Sequence, residues 1–145
     1  LSIQDVGVKE ISKRVNEIAT KLGITEVLNK YPYEMSGGQK QRVAVARAII
    51  TNPKIVLADE PTGALDSKSS KILLETFNYL NTKLNATILM VTHDSFAASF
   101  ANRVIFIKDG KIYNEIYKGN MDRKTFFDKI IDVVTLLGGD VNDVL

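Results

Sequence analysis

Two adjacent acids, Asp59 and Glu60, close an unbroken apolar run over residues 55–58, and the single histidine, His93, follows a second such run over residues 87–92. Runs of this kind suit strands buried on both faces, as in a parallel sheet, and ligands of such sheets bind beyond the carboxyl ends of the strands. Neighbouring side chains on an extended strand point to opposite sides, so the two acids can take separate roles. Asp59 suits a hard cation such as Mg²⁺. Glu60 suits the general base that activates a water for attack on a phosphate, and His93 suits a hydrogen bond to that water or to a phosphate oxygen. Taken singly, a turn-capping aspartate and a satisfied loop histidine are the commoner explanation of such residues.

A second candidate lies upstream. Met35-Ser36-Gly37-Gly38-Gln39 places a hydroxyl and two glycines where a helix should begin, and the free N–H groups and dipole of a helix start attract anions. Glycine lets such a ligand approach closely. The same five residues also suit a capped helix whose glycines serve only the entry turn.

The elements that must position these residues follow from apolar spacing. Val8, Ile11, Val15, Ile18 and Leu22 step by three or four, which predicts a helix stopped at Gly23. Pro32 predicts an extended or turned stretch over residues 31–35. Ser36 with Gln39 forms a possible capping box for a helix carrying Val43, Ala46 and Ile50, ended by Asn52 and Pro53. Leu73, Phe77, Leu80 and Leu84 predict a helix of about 18 residues between the two apolar strands, capped by Asp66 or Ser67. That strand, helix, strand unit puts the ends of both strands along one edge, with Asp59, Glu60 and His93 on it. Asp109-Gly110 is a hairpin signal that should add an antiparallel pair to the sheet. Phe127, Ile130, Ile131 and Val134 predict the stripe of a last helix, broken by Gly138-Gly139 before a polar tail.

Composition narrows the function classes. The chain has 145 residues, 45% hydrophobic and 25% charged, which fits one globular domain and no membrane-spanning or disordered class. A net charge of +2 implies no nucleic-acid or anionic-membrane partner. The absence of Cys excludes a disulfide scaffold and a thiolate site and is compatible with a reducing compartment. No signal peptide pattern opens the chain, and residue 1 is Leu, so a segment of something longer is expected.

The stretches "YPYEMSGGQKQRVAVARAII", "KIVLADEPTGALDS" and "ILMVTHD", in this order, closely resemble the ATP-binding subunit of ABC transporters over nearly the whole chain. "MSGGQ" is similar to the family's signature motif with Met35 in place of Leu, "IVLADE" to its Walker B strand, "GALD" to its D-loop, and His93 to its switch histidine. The wording looks most like the branch of lipoprotein-releasing, macrolide-exporting and antimicrobial-peptide-resistance transporters. The resemblance implies an α/β fold: the C-terminal part of a P-loop, RecA-like ABC ATPase core, with a mainly parallel sheet and a helical signature subdomain. The expected division is residues 1–52 for the helical subdomain, 53–120 for the second half of the core, and 121–145 for the C-terminal helix.

The resemblance also implies a mechanism. Two nucleotide-binding domains would sandwich ATP head to tail, as a homodimer attached to a membrane permease at the cytoplasmic face of the membrane. Ser36, Gly37, Gly38 and Gln39 would contact the γ-phosphate of ATP held by the partner. Asp59 would hold Mg²⁺ through water, Glu60 would act as base, His93 would contact the γ-phosphate, and Asp66 in the D-loop would bridge the two sites. One departure stands out: no G-x-x-x-x-G-K-[ST] occurs in the 145 residues, so the phosphate-cradling loop is missing and these residues alone are not expected to hydrolyse ATP. Two other readings are a P-loop-less partner that lends its signature half-site, and a metal-dependent hydrolase using Asp59, Glu60, His93 and Asp94. Without a basic stripe or coiled-coil insertion, no nucleic-acid partner is expected.

Overall fold

The computed structural model describes residues 7–51 and 53–139, so Asn52 and the polar tail after Gly139 lie outside the described residues. The chain forms two compact units, one ending at Met90 and one beginning at Val91.

In the first unit, α1 (Val8–Lys21) ends where Gly23 takes a left-handed φ of 60°, and the Ile24 N–H returns to the Ala19 carbonyl at 2.9 Å. This is the glycine stop that the spacing predicts, and it carries the chain into buried Leu22, Ile24 and Val27. The stretch before the signature is a 3-10 turn, Pro32–Glu34, flanked by extended Tyr31 and Met35. Helix α2 (Gly37–Ile49) follows, then strand β1 (Ile55–Asp59), helix α3 (Ser67–Leu84) and strand β2 (Thr87–Val91). Strands β1 and β2 are hydrogen-bonded neighbours, and the 18-residue α3 is the crossover of this parallel pair. Helix α3 buries Leu73, Leu74, Phe77 and Leu80; of the predicted stripe Leu84, the last residue of the helix, is exposed, and Leu74 is an addition.

Strand β1 departs from the expectation of burial on both faces. Val56 is buried, but Ile55 and Leu57 are 49% and 72% exposed, and Leu89 and Val91 of β2 are exposed likewise. The strands therefore alternate, each with its more exposed residues at every second position.

The second unit contains α4 (Ser95–Ala98), a hairpin of β3 (Arg103–Lys108) and β4 (Lys111–Tyr117), and α5 (Arg123–Gly139). Asp109 and Gly110 both have positive φ, 51° and 72°, which is the two-residue turn whose twist matches a hairpin. Contrary to expectation the hairpin does not extend the first sheet: among the described residues β3 and β4 pair with each other in a two-stranded sheet of their own. Its inner face meets α5 through Phe106, Phe126, Ile130 and Val133, with Leu137 beside them. The buried stripe of α5 is thus rotated from the predicted one: Ile131 and Val134 are exposed, and Phe126 takes the place expected of Phe127. The described helix reaches Gly139, and the polar tail expected after it lies outside the described residues. Arg123, at the start of α5, lies over the rings of Phe96 and Phe100 at 5.2 and 4.6 Å from their centroids.

Candidate functional site

The start of α2 is built by a reciprocal cap. Ser36 is extended, its Oγ accepts the Gln39 N–H at 3.3 Å, and the Gln39 Oε1 accepts the Ser36 N–H at 2.9 Å. This is the capping box that the sequence predicts. The other end of the Gln39 amide donates from Nε2 to Glu26 Oε1 at 3.1 Å, so both amide ends are engaged and their assignment is fixed by their partners. The Glu26 carboxyl is held below its ordinary range, first by its own backbone N–H and then by Gln39. Nothing in the sequence pairs Glu26 with Gln39, because 13 residues separate them.

The cap uses the N–H groups of Ser36 and Gln39. Those of Gly37 and Gly38 have no intrahelical acceptor at a helix start. The first turn carries no acid, so the positive end of the helix is not neutralised by its own residues. Gly37 is exposed, whereas Gly38 is buried.

Asp59 is the exposed last residue of β1. Glu60 is not on the strand: its φ of 41° is left-handed, a conformation that few residues other than glycine adopt. The opposite-faces argument for the two acids therefore stops at Asp59, and the chain turns sharply at Glu60. The turn is fixed by the Gly63 N–H on the Glu60 carbonyl at 3.1 Å and the Leu65 N–H on the Thr62 carbonyl at 3.0 Å, with Pro61 and Thr62 buried. A strained backbone held by its surroundings at the residue suited to act as base is the kind of feature that functional sites concentrate.

Asp66 ends this turn and caps α3. Its Oδ1 accepts the Ser69 N–H at 3.0 Å and its Oδ2 accepts the Ser69 Oγ–H at 2.7 Å. These two bonds hold the carboxyl below its ordinary range. Ser69 also lies against Gly38: a Cβ on residue 38 would stand 2.7 Å from Ser69 Oγ and 3.0 Å from Ser69 Cβ. The signature segment and the Asp66 turn, 27 residues apart from Gln39 to Asp66, are thereby in contact within one unit. Sequence reasoning missed Ser69, whose only signal is its position three residues after a capping acid.

His93 lies in the second unit, exposed, between β2 and α4. Its neighbour Asp94 caps α4, its side chain accepting the Phe96 N–H at 2.8 Å while its own N–H donates to Thr92 Oγ1 at 3.0 Å. These bonds shape the loop that presents His93. The structure thus joins Ser36, Gly37, Gly38, Gln39 and Asp66 in one neighbourhood, with Asp59 and Glu60 at the other end of the Asp66 turn.

Comparison with known proteins gives these motifs a context. The model of the ABC transporter family matches residues 1–63. The chain is 54% identical over 143 residues to a bacitracin export ATP-binding protein, BceA, of Halalkalibacterium halodurans, covering 99% of this chain and 56% of that protein. It is 47% identical over 106 residues to the macrolide export ATP-binding/permease protein MacB of Wolinella succinogenes, covering 73% of this chain and 16% of that protein. Among solved structures it is similar to a dimeric post-hydrolysis state of the ATP-binding cassette MJ0796 bound to ADP and Pi. That match has a TM-score of 0.68 and 39% identity, and covers 79% of this chain and 50% of that one. The chain thus spans 56% of the bacitracin relative and half of the solved cassette. Motif order, identity and fold thus agree in their likeness to the ATP-binding proteins of ABC transporters.

Proposed function

We propose that these residues form the signature and Walker B portion of an ATP-hydrolysing subunit that powers export or extraction of a peptide, lipoprotein or drug-like substrate through a membrane permease. The observation that carries this reading is the neutral start of α2, whose first two glycines lack an intrahelical N–H acceptor, resting on the Asp66 turn that begins at Asp59-Glu60. The relatives named for bacitracin and macrolide export support the class of substrate. The protein would work as a dimer of nucleotide-binding domains, peripherally at the cytoplasmic face of the membrane. No described helix is long and apolar enough to cross a bilayer.

In this reading the start of α2 faces the γ-phosphate of ATP bound by the partner domain. Ser36 and Gln39 fix the helix start, and the N–H groups of Gly37 and Gly38 donate to phosphate oxygens as charge develops on them. Glu60 accepts a proton from the attacking water, and the turn that holds its backbone at positive φ fixes where the carboxylate can reach. His93 donates to a γ-phosphate oxygen. Asp66, tied down by Ser69, holds the D-loop that bridges the two sites.

An exposed carboxylate at a strand end fits Mg²⁺, which keeps most of its waters and takes one or two carboxylates beside the phosphates. Asp59 would hold the ion, which supplies positive charge to the phosphate oxygens when bound. The phosphate-cradling loop is absent from these 145 residues, so turnover belongs to the full-length protein.

The test is Glu60→Gln in the full-length protein. Hydrolysis should fall about a hundredfold or more, as loss of a general base requires, while ATP-driven dimerisation persists. Turnover within about threefold of wild type would refute the role of Glu60.

A further inference from the structure

The two glycines at the start of α2 meet different surroundings. A Cβ on residue 37 would find only the Ala64 carbonyl, at 3.9 Å, an ordinary contact. A Cβ on residue 38 would overlap Ser69 Oγ and press tightly on Ser69 Cβ. Rotating the hydroxyl away would give up its bond to Asp66 Oδ2 and would still leave Ser69 Cβ at 3.0 Å. The next neighbour, Arg42 Nη1 at 3.6 Å, belongs to a long side chain that can move aside. Gly38 is therefore confined by one residue, and that residue is the one that fixes Asp66.

We propose that Gly38 and Ser69 are a pair of positioning residues: Gly38 lacks a side chain so that the start of α2 can rest on Ser69, which locks the signature segment to the Asp66 turn as one body. This rests on the reading of the site as an ATPase half-site and deepens it. The N–H of Gly38 stays available to phosphate, while its Cα face sets how far the helix start stands from the D-loop. Ser69 serves both sides at once, donating from N and Oγ to Asp66 and presenting its Cβ to Gly38. A displacement of the α2 start would then displace the Asp66 turn with it. Gly37, with room for a Cβ at ordinary contact distance, has no such duty.

The pairing makes a second-site prediction that a purely ligand-facing glycine would not. In the full-length protein, Gly38→Ala should lower the nucleotide-free melting temperature by about 5 °C and ATP turnover by about tenfold, as overpacking does. Adding Ser69→Gly removes both close contacts. The double variant should melt at the temperature of Ser69→Gly alone and regain turnover to within about threefold of that single variant, chiefly in kcat. Gly37→Ala, in contrast, should leave the melting temperature unchanged or raise it. A double variant that melts no higher than Gly38→Ala overturns the packing relation. Restored melting without restored turnover overturns the positioning role and leaves Gly38 to ligand approach alone. A wild-type protein that melts cooperatively yet hydrolyses no ATP removes the ATPase reading, while the melting comparison still decides the packing.

Discussion

Helices α2 and α3 begin against each other, Gly38 on Ser69, yet they satisfy their free N–H groups in opposite ways. The start of α3 supplies its own anion: the Asp66 carboxylate takes the Ser69 N–H and hydroxyl and is held below its ordinary pKa by them. The start of α2 is capped by neutral groups, Ser36 and Gln39, and no acid stands in its first turn. A dipole already met by a carboxylate has little to offer a second anion, whereas a neutral cap leaves the positive end and two N–H groups for a ligand. The contrast teaches that a helix start is read by the charge of its cap more than by its glycines.

The sharpest way to break this contrast is to give α2 the cap of α3. Aspartate is as good an N-cap as serine, so Ser36→Asp should hold or raise the melting temperature while placing a negative charge where phosphate must come. Turnover of the full-length protein should fall about a hundredfold, the scale of losing a donor to a developing charge. Steady-state hydrolysis beside a thermal melt separates the two effects, and turnover within about threefold of wild type would mean that the α2 start is not the phosphate site.

The converse change acts on α3. Asp66→Ala removes both bonds to Ser69 and frees the turn that begins at Glu60. Turnover should fall about tenfold, with Asp66→Asn closer to wild type because the amide still caps the helix. If alanine and asparagine variants lose activity equally, the charge of Asp66 matters to the reaction and the cap does not explain its presence.

What the sequence disclosed follows the same division between local and distant causes. The Ser36–Gln39 box, the Asp66 cap, the 18-residue crossover helix and the Asp109-Gly110 turn all arise within a few residues, and spacing sufficed to place them. The buried face of α5 was not legible, because Phe126 and Phe127, Ile130 and Ile131, and Val133 and Val134 write two interleaved stripes. Phe106 of the hairpin selects one of them. The left-handed backbone at Glu60 is imposed by the turn after it, not by the strand that leads into it. Of the site, the residue types and their order were legible. The links that join them, Gln39 to Glu26 and Gly38 to Ser69, cross 13 and 31 positions and belong to tertiary packing.

A smaller effect separates capping from charge at α2. Ser36→Ala removes the hydroxyl that accepts the Gln39 N–H but adds no charge, so about 1 kcal/mol of stability should be lost. Turnover should then fall far less than in Ser36→Asp. Denaturant unfolding of the two variants measures the difference, and an equal loss of turnover in both would assign the effect to a disordered helix start.

The smallest expected effect is the pH dependence of the α3 cap. The folded carboxyl of Asp66 titrates below its ordinary value of 3.8, so the unfolded chain binds a proton there more readily than the folded one. Its contribution to stability is complete above that ordinary value and is lost as pH falls through the lower folded value. Glu10, Glu26, Glu115 and Asp122 are lowered as well, so the wild-type melting temperature should fall with acid for several reasons together. Asp66→Asn removes one of them. Its melting temperature should fall less than that of wild type between about pH 6 and about pH 3, by a margin that stops growing once the folded and unfolded carboxyls are both protonated. Ser36→Asp should show the opposite sign, falling more steeply than wild type, because it installs at α2 the acid-sensitive kind of cap that α3 carries. Parallel curves for all three proteins would show that neither helix start draws its stability from the charge of its cap.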